Sequence, residues 1–132
     1  MSELRRVMCV EDDADIRMII EFSLCKLGGY EVLLCPSGKE ALRQAVSFAP
    51  ELILLDVMMP DLNGPETLAA LRELPQVRDV PVVFMTAKAM PDEVEELLHY
   101  SVAGVIVKPF DPVKLPRDVR VYWEHSRGRR AH

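Results

Sequence analysis

Leu52–Gly64 reads LILLDVMMPDLNG: four apolar residues run straight into a lone aspartate, with a proline and a glycine close behind. A continuous apolar run of this length, bounded by turn residues, is what a β-strand covered on both faces needs. Asp56 at its end is either a turn former that stops the strand or the group the strand exists to present. The flanking sequence decides between the two.

Working outward, strand-length apolar runs alternate with helix-length amphipathic stretches. Val7–Val10 is followed by Ile16, Ile19, Ile20, Leu24 and Leu27 at helical spacing, ended by Gly28-Gly29. Tyr30–Cys35 forms a second strand, and Ser37 with Glu40 a capping box for a helix whose inner face is Ala41, Leu42, Ala45 and Val46. After Leu52–Leu55, Asn63 and Glu66 cap a helix with Pro65 near its start. Val82–Met85, a helix opened by Pro91 with Val94, Leu97 and Leu98 inward, and Val105–Val107 follow. Asp111-Pro112 caps a last helix reaching about Glu124, with an irregular start because Pro116 removes a ladder bond. Strict strand–helix alternation predicts an α/β fold, a parallel sheet with helices on both faces. A single domain covering 1–132 is expected, with a core from about 5 to 124 and a short basic tail over 125–132.

The composition agrees. The chain has 132 residues, 49% of them hydrophobic, with a net charge of −5. That supports a packed core and argues against a general nucleic-acid binder. Neither a membrane span nor a signal peptide is evident, so a cytoplasmic address is expected. Cys9, Cys25 and Cys35 form no CxxC pair and read as small core residues.

In a sheet of this kind ligands bind at the carboxyl edge of the strands. Glu11, Asp12 and Asp13 follow the first strand, Asp56 the third, Thr86 and Ala87 the fourth, and Lys108 the fifth. Asp13 reads as a helix cap. The other three carboxylates repel one another unless a cation neutralises them, and Mg²⁺ suits such oxygen ligands. Asp56 then reads as nucleophile and phosphoacceptor, with Glu11 and Asp12 as the metal-holding pair. The Met58 backbone carbonyl is a further ligand, and Thr86 and Lys108 engage the phosphoryl oxygens.

Together VEDDADIR (10–17), LILLDVMMPDLNG (52–64), VVFMTA (82–87) and VIVKPF (105–110) resemble the receiver domain of bacterial two-component response regulators, chemotaxis-regulator-like. The resemblance implies a doubly wound, flavodoxin-like fold of five parallel strands in the order 2-1-3-4-5 with five helices. It implies Mg²⁺-dependent phosphorylation of Asp56 by a histidine kinase or histidine phosphotransfer protein, and a cis peptide between Lys108 and Pro109. It also implies an output surface formed by the fourth helix, fifth strand and last helix. That surface would act on a downstream protein target, as a monomer or as a phosphorylation-dependent dimer, with no nucleic-acid contact by this chain. Tyr122 and Trp123 either serve that surface or pack on the sheet.

Two features depart from the family's commonest pattern. The acidic pair is Glu11-Asp12 rather than Asp-Asp, and Val105 stands where an aromatic switch residue is usual. Met58 and Lys88 match positions that tune phosphate lifetime, and an apolar Met58 predicts slow dephosphorylation. The nearest rival is a haloacid dehalogenase-like phosphatase, which needs a second acid where Met58 stands. A receiver fold used as an unphosphorylated interaction module is the other rival. The chain holds no output domain beyond the fifth unit, so it is either a stand-alone receiver or part of something larger.

Overall fold

The computed structural model describes residues 3–130, with side chains through Arg127. Five strands form one parallel sheet: β1 (Arg6–Val10), β2 (Glu31–Cys35), β3 (Leu52–Asp56), β4 (Val82–Thr86) and β5 (Gly104–Val107), in the order β2-β1-β3-β4-β5. The helices between them are α1 (Ala14–Glu21), α2 (Gly38–Phe48), α3 (Gly64–Leu71), α4 (Pro91–Leu98) and α5 (Leu115–Arg130). Every residue of β3 and β4 is buried, as their unbroken apolar runs require for strands covered on both faces. Two apolar clusters fill the layers. Met8, Val10, Ile53, Leu55 and Phe84 pack under α2 and α3. Val7, Cys9, Leu52, Leu54, Val83 and Met85 pack under α1 and α5. The alternation along each strand sends neighbouring residues to opposite layers.

Local capping follows the sequence with some corrections. Asp13 accepts hydrogen bonds from the Asp15 and Ile16 N–H groups and starts α1. Asn63 and Glu66 form a reciprocal capping box at α3. At α2 only half of the expected box exists. Ser37 accepts from the Glu40 N–H, while the Glu40 carboxylate turns to Gln44 and Arg43.

The first helix departs from regular α geometry. A π-helical segment, Phe22–Leu27, continues α1, and its wide turn shifts the phase of the buried face. Ile20, Ser23 and Leu24 are buried at ordinary helical spacing, whereas Ile19, within regular α1, and Leu27, at the end of the π-helical segment, were expected inside and are exposed. Val46 and Leu98 are also exposed, because narrow helices on a broad sheet bury less than the full apolar stripe. Cys9 and Cys35 are core residues, but Cys25 is only half-buried.

At the last helix the expected irregular start is present. The Asp111 carboxylate accepts from the Val113 N–H, the Asp111 carbonyl accepts from the Lys114 and Leu115 N–H groups, and regular helix begins at Leu115. The helix runs past Glu124 to Arg130, so most of the expected tail is helical. Residues 131 and 132 lie outside the described residues. Ser126 is buried and the Arg127 guanidinium lies over the Trp123 ring, 4.7 Å from its centroid, which anchors this extension. No described helix is long and apolar enough to cross a membrane.

Candidate functional site

Strand register brings the predicted residues to one level. Val10 pairs with Leu55, so Glu11 emerges beside Asp56. Asp56 pairs with Met85 and Thr86 with Val107, so Thr86 and Lys108 emerge together on the far side. Lys108 Nζ lies 2.6 Å from Glu11 Oε1 and 3.2 Å from Asp56 Oδ1, a cation bridging carboxylates from two strands. The Lys108 N–H donates to the Thr86 carbonyl at 2.8 Å, which locks β5 to β4 at this edge. The Lys108–Pro109 peptide is cis.

The carboxylates are unevenly hydrated. Glu11 and Asp56 are buried, at 1% and 3% exposure, while Asp12 is exposed. Burial pushes the Glu11 carboxyl up to about 7, against the opposing pull of its Lys108 hydrogen bond. Burial alone would lower the Lys108 ammonium, but its bond to Glu11 and the nearby Asp56 charge raise it. One oxygen each from Glu11, Asp12 and Asp56 lies within 4.8 Å of the others, a cluster able to hold a cation. A buried carboxylate that resists ionising at neutral pH fits a site meant for a divalent ion, which would stabilise its charged form.

The loops around the edge are tightly tied. The Val57 N–H donates to the Met85 carbonyl, and the Gly64 N–H donates to the Val57 carbonyl. A Cβ on Gly64 would stand 2.6 Å from the Asp56 carbonyl oxygen and 2.8 Å from Val57 Cα, so only glycine lets α3 start this close. Thr86 is buried, and its hydroxyl accepts from the Lys88 N–H at 3.0 Å. Ala87 and Lys88 are exposed, as is Met58 at 61%.

Val105 is half-buried and pairs with Phe84 on β4, whose ring meets Tyr100 edge-on with centroids 5.9 Å apart. Of the last-helix aromatics, Trp123 is buried in the core. Tyr122 packs over Gly104 and donates to the Val105 carbonyl at 3.3 Å.

One positioning contact escaped the sequence reading. Arg17 Nη1 donates to the Glu11 carbonyl at 2.7 Å and fixes the acidic loop from the first helix. Its place six residues after Glu11, on the first turns of α1, was the available signal.

Comparison with known proteins agrees with this geometry. The response regulator receiver domain model matches residues 7–120. A transcriptional regulatory protein, PrrA, of Mycobacterium tuberculosis is 38% identical over 105 residues, 80% of this chain and 44% of that protein. An uncharacterised 14.6 kDa protein of Leptolyngbya boryana is 34% identical over 116 residues, 88% of each chain. The chain spans about half the length of the transcriptional regulators it matches. Among solved structures, the chemotaxis response regulator CheY4 of Vibrio cholerae aligns with TM-score 0.82 and 30% identity, covering 90% of this chain and 98% of that one. A Francisella response regulator receiver domain aligns with TM-score 0.81 and 26% identity, covering 92% and 98%. With its strand order, its acidic edge and these likenesses together, the chain belongs to the response regulator receiver domain family.

Proposed function

We propose that this chain is the phosphoacceptor unit of a two-component phosphorelay and that Asp56 is the residue modified. The observation that carries the reading is the Lys108 ammonium held between Glu11 and Asp56 at the carboxyl edge of the sheet. In the reaction, an Asp56 carboxylate oxygen forms a bond to phosphorus as the bond from phosphorus to the donor's histidine nitrogen breaks. The leaving imidazole keeps the electron pair. Lys108 moves from its carboxylate partners to a phosphoryl oxygen, and the Thr86 hydroxyl engages another.

Glu11, Asp12 and Asp56, with the Met58 backbone carbonyl, are the residues that would hold Mg²⁺. Bound there, the ion supplies charge neutralisation for the phosphoryl oxygens and for the crowded carboxylates. Asp56 and Thr86 end strands, and Glu11, Asp12, Met58 and Lys108 stand within two residues of a strand end, so the sheet edge keeps these groups close together for the transfer.

The donor is a histidine kinase or a histidine phosphotransfer protein, which implies a cytoplasmic address. The recipient of the signal is a downstream protein, bound through α4, β5 and α5. Modification adds a charge of about −1.5 to −2 at the edge and draws Thr86 and Lys108 inward, biasing that surface between two arrangements. Ala87 and Val105 lie on the route. Val105 has no ring to reorient, so the route runs through Thr86 and the β4–α4 loop. The receiver unit spans about residues 5–124 and works as a monomer or a phosphorylation-dependent dimer. Met58 stands where a phosphatase of the haloacid dehalogenase type needs a second acid, which disfavours turnover.

Incubation with acetyl phosphate tests the reading. A hydroxylamine-labile label that needs Mg²⁺ and remains on the protein, with no release of p-nitrophenol from p-nitrophenyl phosphate, is the expected result. Steady p-nitrophenol release would favour the phosphatase instead.

A further inference from the structure

The start of α5 contains a break in its own hydrogen bonding. Pro116 has no N–H, so it cannot serve the Pro112 carbonyl four residues back, the partner a helix would assign to it. That carbonyl is served from elsewhere in the fold: Ser23 Oγ donates to it at 2.6 Å, across 89 positions of sequence. Ser23 is fully buried near the start of the π-helical segment Phe22–Leu27, three residues after the buried Ile20 and so on the same inward face. A second bond supports the same junction, from Tyr30 Oη to the Pro116 carbonyl at 3.0 Å. A Cβ on Gly28, at the end of the π-helical segment, would stand 2.9 Å from Pro116 Cβ, so the two segments are in close contact.

We propose that Ser23 is a positioning residue for Lys108, replacing the N–H that Pro116 lacks. The inference rests on the phosphoacceptor reading above. The stretch from Lys108 to Pro112 belongs to no helix or strand. At its first residue it is anchored by the Lys108 N–H on the Thr86 carbonyl, and at its last by Ser23 on the Pro112 carbonyl. Phe110 packs against the apolar cluster between these anchors. Ser23 sits on the helix that begins directly after the acidic loop holding Glu11 and Asp12. The bond therefore ties the segment that carries the ammonium to the helix that carries its carboxylate partner. Without it, the loop after Lys108 loses its direct tie to the first helix, keeping the local Asp111 turn and the Tyr30 bond, and leaves the part-buried Pro112 carbonyl without this donor.

The test is a double-mutant cycle on the intact chain, comparing wild type, Ser23→Ala, Pro116→Ala and the double variant. Pro116→Ala restores an N–H to the Pro112 carbonyl and keeps the Cβ that meets Gly28. At saturating Mg²⁺ and acetyl phosphate, Ser23→Ala is expected to be labelled roughly 3–10-fold more slowly, as a small misplacement of a catalytic group costs. Half-saturation by Mg²⁺ should stay within about twofold, because the ion's carboxylates come from the loop after β1 and the end of β3 rather than from this loop. In the Pro116→Ala background the same change should alter the rate by less than about twofold.

A wild-type rate in Ser23→Ala, an equal slowing in both backgrounds, or a slowing that only tracks a raised Mg²⁺ requirement would overturn the proposal. If Ser23→Ala does not fold, Ser23→Cys, a weak donor of similar size, should be slowed to a lesser degree in the wild-type background alone. Absence of labelling in wild type would count against the phosphoacceptor reading instead. The pairing of Ser23 with Pro116 then stands or falls on melting temperature. Ser23→Ala should lose roughly 3–6 °C in the wild-type background and clearly less with Pro116→Ala, and equal losses would overturn it.

Discussion

Replacing Glu11 with glutamine should make the metal-free protein more stable at neutral pH, although it removes an ionic partner of Lys108. Glu11 is almost fully buried, and its carboxyl is raised from 4.5 to about 7 chiefly by desolvation. An acid whose folded value is raised contributes stability below its unfolded value, and loses it as pH climbs towards the folded value. At pH 7 the charged form is handicapped by on the order of 3 kcal/mol relative to a neutral group. Glutamine keeps the size of the side chain but has one acceptor oxygen. It can serve Lys108 Nζ or the Asp13 N–H, but not both as Glu11 does. That lost bond costs about 1 kcal/mol, leaving a gain of about 2 kcal/mol, or roughly 7 °C in melting temperature for a chain of this size. At pH 5 the handicap falls below about 1 kcal/mol, and the lost bond cancels it. Urea and thermal unfolding in EDTA at both pH values are the assay. With excess Mg²⁺ the order should reverse, because wild type gains binding free energy that the variant largely loses. A glutamine variant less stable than wild type at pH 7 in EDTA, or a gain unchanged at pH 5, would refute the reasoning.

Other perturbations follow from the same geometry. Gly64→Ala pushes a Cβ against the Asp56 carbonyl and Val57 backbone, and should cost about 1–3 kcal/mol by urea unfolding and slow labelling by acetyl phosphate; a neutral result would mean that the loop can yield. Ala49 ends α2 in the left-handed region at φ 56°, so Ala49→Gly should raise stability by about 0.5–1 kcal/mol, and a lower melting temperature would contradict this. Met58 is exposed two residues after Asp56, where an apolar chain is expected to hinder an attacking water. Met58→Asn should shorten the lifetime of the phosphorylated form, followed by loss of label after the phosphodonor is removed, and an unchanged lifetime would rule out shielding.

Much of the fold was legible because its signals are local. LILLD declares a strand buried on both faces and ending in an acid, and Asn63 with Glu66 declares where the following helix begins. Glu11, Asp56, Thr86 and Lys108 could be listed together because a parallel sheet sends every strand end to one edge, and register then set their distances. What escaped depends on partners remote in sequence or on small changes of helical phase. Leu27 fits a regular helix until the π-helical segment that ends with it shifts the helical phase. Ser23 looks like an interruption of an apolar face until its acceptor appears at Pro112. The continuation of α5 beyond Glu124 was hidden by its polar sequence, since its anchors are the burial of Ser126 and the stacking of Arg127 on Trp123.

The central claim is that Asp56 is the acceptor. Intact mass measured after acetyl phosphate and Mg²⁺, for wild type beside Asp56→Asn, addresses it most directly. The account predicts the added mass of one phosphoryl group on wild type and none on the variant. Equal labelling of both chains, or labelling of neither, would contradict it.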